Sequence, residues 1–186
     1  MELIQEILYV KLKNYHDLTR PIYISSDINE FINILNENNN DYSILEYLKN
    51  NDIRVYLDID KIPLNDGYVI YKIIEKFIKM YKLSNEYTLT INENSYHEGL
   101  SFHLFFPYRT TKEKCFTLVK NFIEKYQEFK NYIDINVYNQ PYFRCVNMPC
   151  PGYLQYNRSL SNKHELIYGE IEDTVIQNYE LLPHLI

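Results

Sequence analysis

The sequence predicts an α+β fold: a ferredoxin-like βαββαβ module over residues 51–186, preceded by a small helical module over residues 1–50. Three observations predict it. From residue 53, stretches that alternate apolar and polar residues change places with stretches whose apolar residues recur every three to four positions, in the order strand, helix, strand, strand, helix, strand. The first fifty residues keep the helical period; the polar NENNND stretch is their clearest break, and the change of period sets in near residue 51. Finally, 186 residues with 46% hydrophobic and 24% charged content suffice for one domain to bury about two-thirds of its unfolded surface without staples.

Taken in order, Leu3, Ile4, Ile7, Leu8, Val10 and Leu12 predict an opening amphipathic helix. Pro21 followed by Ile22, Tyr23 and Ile24 predicts a short strand. Ser26 and Asp27 are suited to cap a second helix through Phe31, Ile32, Ile34 and Leu35, and residues 42–49 read as a short third one. Residues 53–60 (IRVYLDID) alternate and are rich in β-branched residues, so they form a strand, closed by Pro63. Asp66 opens a helix with Val69, Ile70, Ile73, Ile74, Phe77, Ile78 and Tyr81 on one face. Residues 87–91 (YTLTI) form a strand, 92–95 a turn, and 100–106 (LSFHLFF) a strand closed by Pro107. A long helix over 111–129 follows, then a strand over 142–148 (YFRCVNM), a short strand over 165–168 and a helix over 173–179. In the ferredoxin-like layout the first and third strands lie side by side in the middle of a four-stranded antiparallel sheet. Helices cover one face, and the other is free to carry a site.

Composition removes several functional classes. With only 4 Gly, the chain holds neither GxxxxGK[ST] nor GxGxxG, so phosphate-cradling loops of those kinds are excluded. A net charge of -6 and a pI near 5.4 argue against coating nucleic acid by bulk charge. No apolar run approaches the roughly 20 residues of a membrane span, and MELIQEILYVKLK lacks the cationic start and cleavage site of a signal peptide. Cys115, Cys145 and Cys150 are an odd number and read as reduced thiols. Cys145 and Cys150 with His164 match no zinc-finger spacing and lack an evident fourth ligand.

One constellation remains. Asp58 and Asp60 are two apart on a strand, so both point to the same face, where two carboxylates repel unless a divalent cation offsets them. Ser101 and His103 likewise share a face of the third strand, opposite in parity to the apolar Leu100, Phe102 and Leu104. Asp134 follows the second long helix, and Arg144 sits in a strand where a guanidinium calls for an acidic or anionic partner. Three carboxylates can hold two Mg²⁺ about 3.5–4 Å apart, as in two-metal nucleotidyl transfer. Ser101, His103 and Arg144 would then supply donors to a triphosphate.

In these segments the sequence resembles the archaeo-eukaryotic primase superfamily, which includes primase-polymerases and the primases of large DNA viruses. VYLDID is similar to the family's strand ending in D-x-D or D-x-E, LSFHLFFP to its S-x-H strand, and IDINVYNQPYFRCVNMP to its segment in which an Asp precedes a Tyr and an F-R pair. Arg158 with Leu160 is similar to an Arg-x-Leu that follows in viral members. The resemblance spans about residues 53–160. It implies an RRM-like catalytic module after a helical one, with Asp58, Asp60 and Asp134 as metal-binding carboxylates. Ser101, His103, Arg144 and Arg158 would contact the incoming nucleotide. The implied activity is that of a DNA primase or primase-polymerase: template-dependent transfer from NTPs or dNTPs on single-stranded DNA with two Mg²⁺ or Mn²⁺. A replicative helicase or single-strand-binding protein would be a partner, at an intracellular, viral site of replication. Two departures stand out: Gly99 occupies a position where many relatives carry Lys, and no Lys closely follows the F-R pair. The competing reading is a non-catalytic RRM-like module stacking single-stranded nucleic acid on Tyr56, Phe102 and Tyr142. The carboxylates on the same sheet face and the negative net charge count against it.

Overall fold

The first regular element is a strand where the sequence predicts a helix. The computed structural model describes residues 5–38, 40–93, 99–151 and 162–185. In it β1 (Ile7–Leu12) pairs antiparallel with β2 (Tyr23–Ser25) on one side and with β3 (Ser43–Tyr47) on the other. Ile7 and Tyr9 pack against Phe31 and Leu35 of α1 (Ile28–Glu37), while Val10 and Leu12 pack with Leu45 and Tyr142. A strand covered on both faces carries apolar residues at consecutive positions, and the alternation that would identify it is lost. Residues 42–49 fail as a helix for the same reason, because β3 is central and nearly all buried. Leu3 and Ile4 lie outside the described residues. Among its described residues the expected helical module is therefore three strands and one helix. That helix starts as expected: the Asp27 carboxylate accepts from the Glu30 N–H at 2.8 Å, and Glu30 reaches back to the Ser26 N–H at 2.5 Å.

The remaining chain builds a second antiparallel sheet, so the fold is mixed α+β, with two antiparallel sheets and three α-helices among the described residues. Along it run β4 (Asp52–Ile62), α2 (Val69–Tyr81), β5 (Thr88–Asn92), β6 (Leu100–Thr111) and α3 (Lys112–Lys125), with β8 (Glu165–Tyr168) later; the sheet order is β4-β6-β5-β8. Ile70, Ile73, Ile74 and Phe77 of α2, with Val119 and Phe122 of α3, share one core with Val55, Leu57, Ile59, Leu89, Phe102 and Leu104 of the strands. Pro107 does not close β6, which runs on to Thr111. β5 has already ended opposite Phe105, and the β4 partner shifts register between Arg54 and Tyr56, so Pro107 falls at an irregularity. The helix expected over 111–129 ends at Lys125 and gives way to a 3₁₀ turn, Gln127–Phe129. The helix expected over 173–179 is only a 3₁₀ turn, Ile171–Thr174, followed by irregular chain.

The strand expected over 142–148 is shorter and lies elsewhere. β7 (Tyr142–Arg144) pairs with β3 and completes the first sheet as β2-β1-β3-β7. Asn147 takes a left-handed φ of 61°, which stops the strand before Met148. The edge of β4 that this strand was expected to fill is met by residues 132–134. Ile133 bridges Ile59, the Asp60 N–H donates to the Tyr132 carbonyl at 2.7 Å, and the Asp134 N–H donates to the Asp58 carbonyl at 3.0 Å. β4 and β6 are neighbours as expected, but β6 and β5 hold the middle of the sheet because β8 adds beyond β5.

Residues 171–185 tie the two sheets together. Glu46 of β3, 1% exposed, accepts the Ile176 and Gln177 N–H groups at 2.9 Å each. The Gln177 side chain bonds both the N–H and the carbonyl of Leu8. Buried Arg54 of β4 donates to the Asn178 carbonyl at 3.0 Å and pairs with Asp173 at 3.1 Å. Across the boundary expected at residue 50, residues 142–144 pair with the N-terminal sheet and residues 171–180 bond to both sheets. Among the described residues no helix is long and apolar enough to cross a membrane.

Candidate active site

Strand alternation puts Ile59 and Ile133 into the core and turns Asp58, Asp60 and Asp134 to the opposite face. The two backbone bonds across the Ile59–Ile133 bridge set Asp134 opposite Asp58. The Asp134 carboxylate also accepts from the Asn136 N–H at 2.8 Å, which fixes the turn that follows. The Asp58 side chain is only 18% exposed. Burial raises its pKa well above the ordinary carboxylate range; the neighbouring Asp60 and Asp134 push the same way, and Arg144 opposes them. The three carboxylates singled out from the sequence therefore share one electrostatic environment.

Ser101 and His103 reach the same face from β6, with His103 opposite Asp58 and also opposite Thr90 of β5. This face is not free, as the layout predicted, but covered. Phe143 of β7 lies 4.6 Å from the His103 ring, centroid to centroid, and His164 stacks on His103 at 3.5 Å and 8°. His103 is 7% exposed and His164 2%. The His103 Nε2 stands 3.6 Å from an Asp58 carboxyl oxygen, longer than a hydrogen bond. Burial, and then Arg144, push the His103 pKa well down, so the ring is neutral at pH 7 and this contact is no ion pair. His164 is lowered well below its ordinary value too, by burial first and then by His103 and Arg144.

Arg144 enters from the other sheet. Its Nη1 donates to the Asn162 carbonyl at 3.0 Å, and it makes no ion pair among the described residues. Its charge is felt by Asp58, His103 and His164 alike. Arg158 lies outside the described residues. Gly99 has a φ of +123°, and a Cβ there would sit 2.6 Å from the Ile62 carbonyl oxygen. No side chain fits, so a Lys at this position is excluded by the backbone that leads into β6.

Sequence reasoning missed Thr90, Asn92, Asn162 and His164. Thr90 and Asn92 could have been found, because TLTIN alternates and puts them on the face opposite Leu89. His164 carries no local signal; it becomes part of the site only by long-range packing. Its Nδ1 lies 3.1 Å from Thr90 Oγ1 and its Nε2 3.1 Å from Ser101 Oγ, so both nitrogens are engaged away from Cys145 and Cys150.

The donor set has the chemistry of a hard divalent cation site: carboxylate oxygens from two adjacent backbone segments, with the pKa of Asp58 raised first by burial and then by its like-charged neighbours. As placed, the described residues include no group of three His, Cys, Asp or Glu side chains set to hold a metal ion. A bound cation would have to draw the carboxylates together. No protein-family model matches the chain, and no curated protein matches its sequence.

Proposed function

We propose that the chain is a template-dependent nucleotidyltransferase of the primase-polymerase type, joining NTPs or dNTPs on single-stranded DNA. The observation that carries this reading is the convergence of Asp58, Asp60 and Asp134 on one face beside Ser101 and His103, with Arg144 facing them from the other sheet. We read β4–α2–β5–β6–α3, with residues 132–134 in the fourth strand's place, as an RRM-like arrangement.

Asp58, Asp60 and Asp134 would hold Mg²⁺ or Mn²⁺, which supplies charge neutralisation and activates an attacking hydroxyl when bound. Arg144, which makes no ion pair among the described residues, offers guanidinium N–H donors to a phosphate, and Ser101 a hydroxyl donor. Neutral His103 lends an N–H without adding charge beside Asp58. The packing of Phe143 and His164 over this face keeps water from these donors and strengthens their electrostatics. The stacking module is disfavoured on a specific observation: Tyr56 and Phe102 are buried and unavailable to bases. A helicase or single-strand-binding partner would supply the template affinity that a net charge of -6 withholds.

Incubation with single-stranded DNA, Mn²⁺ or Mg²⁺ and labelled NTPs or dNTPs tests the proposal. Short labelled products that vanish in Asp58→Ala/Asp60→Ala establish it. A wild type that binds neither cation nor triphosphate refutes it, and loss of template without incorporation points to a nuclease.

A further inference from the structure

Ser101, His103 and Arg144 come from two sheets, yet residues 162–164 hold all three. The Asn162 carbonyl accepts from Arg144, and its side-chain oxygen accepts from Asn92 Nδ2 at 2.5 Å. His164 stacks on His103, and its ring lies between the hydroxyls of Thr90 and Ser101. Its backbone is anchored in turn, since the Asn147 N–H donates to the His164 carbonyl at 2.8 Å.

Proton accounting gives this arrangement a direction. A neutral imidazole has one N–H and one bare nitrogen, and both nitrogens of His164 face hydroxyls. If Nδ1 carries the proton, it donates to Thr90, and Ser101 must spend its hydrogen on Nε2. Ser101 would then offer only lone pairs to any other partner and repel an anion. If Nε2 carries the proton, Thr90 donates to Nδ1 and Nε2–H donates to Ser101. The hydrogen of Ser101 is then left for a third partner. On the same face Asp58 is crowded by carboxylates, and Arg144 makes no ion pair among the described residues, so the group this face suits is an anion brought with compensating cations.

We infer that His164 is a positioning residue, held as its Nε2–H tautomer, that leaves the Ser101 hydroxyl hydrogen for a phosphate group brought to this face. The inference rests on the nucleotide reading for the identity of the anion, but the tautomer can be read without any ligand.

In ¹⁵N-labelled wild-type protein, long-range ¹H–¹⁵N correlation reports which ring nitrogen of His164 is protonated. Nε2–H is expected, and Nδ1–H overturns the inference while leaving nucleotidyl transfer untouched. Binding of ATP with Mg²⁺ is then compared in His164→Phe, which keeps a ring to stack on His103, and His164→Gln, which keeps an amide N–H for Ser101. His164→Phe should bind ATP about tenfold or more weakly, and His164→Gln should recover most of that loss. Equal loss in both folded variants, or none in His164→Phe, overturns the inference. A wild type that shows Nε2–H but binds no ATP overturns the nucleotide reading, and with it the phosphate target assigned to Ser101.

Discussion

Asp134 stands directly across from Asp58: its N–H donates to the Asp58 carbonyl at 3.0 Å, and both carboxylates leave the backbone on the side away from Ile59 and Ile133. This pairing joins carboxylates 76 positions apart through one backbone contact rather than through a continuous strand.

Such crowding opposes folding. Burial and two carboxylate neighbours hold the Asp58 proton more tightly in the folded chain than in the unfolded one. Its favourable contribution is therefore complete at low pH and fades as pH rises through the raised folded value. Asp58→Asn should raise the melting temperature at pH 7.5 by ~2–4 °C while abolishing nucleotide incorporation. Thermal melts at pH 5 and 7.5 check this; a variant less stable than wild type at both would refute the crowding.

A divalent cation should relieve the same repulsion. Saturating Mn²⁺ is expected to raise the wild-type melting temperature by about 5 °C, as binding to the folded state alone requires. Asp58→Asn/Asp60→Asn should not respond. Scanning fluorimetry with and without a chelator reads the difference, and an equal rise in both proteins would place the ion elsewhere.

Glu46, on β3 of the other sheet, predicts a second pH effect. Burial pushes its carboxyl up to about 7 against the three hydrogen bonds it accepts and the nearby Arg54. Folded pKa above unfolded means that its contribution is full below pH 4.5 and is lost as pH climbs through about 7. The change across that window is on the order of 3 kcal/mol. In Glu46→Gln this slope should flatten, and one of the two backbone N–H donors should lose its acceptor at a cost of about 1–3 kcal/mol. Urea denaturation at pH 5, 6, 7 and 8 compares the two slopes.

Gly99→Lys would restore the residue common among the relatives that the sequence resembles, and here it should be harmful. With φ at +123° and the Ile62 carbonyl oxygen in the path of a Cβ, the substitution is expected to cost about 2 kcal/mol or more. The denaturation midpoint should fall at unchanged slope. A variant as stable as wild type would show that the turn before β6 has another conformation.

Where one face of a strand is dry and the other polar, the sequence was legible. β4, β5 and the first half of β6 follow the expected alternation, and the parities assigned to Asp58, Asp60, Ser101 and His103 agree with the apolar faces observed. β1 and β3 were not legible, because both their faces are covered and consecutive apolar residues imitate a helix. β7 reads as a strand, but its pairing is not legible, because β3, its partner, carries the pattern of a helix. Asp134 was identified, but not the bridge that places it. His164 was beyond reach, because its role depends on rings and hydroxyls more than 60 positions away.

The clasp around Glu46 bears on how the chain acquires its structure during synthesis. Ile176 lies 130 residues after the carboxylate that it satisfies. At roughly 5–20 residues per second, a ribosome needs on the order of ten seconds to make that stretch. For most of it β3 lacks the strand β7 that covers its edge, and to its end it lacks the partners of its buried acid. The first sheet, though translated early, is thus among the last parts to close, and a nascent chain halted near residue 140 exposes an apolar strand edge to chaperones and to other chains.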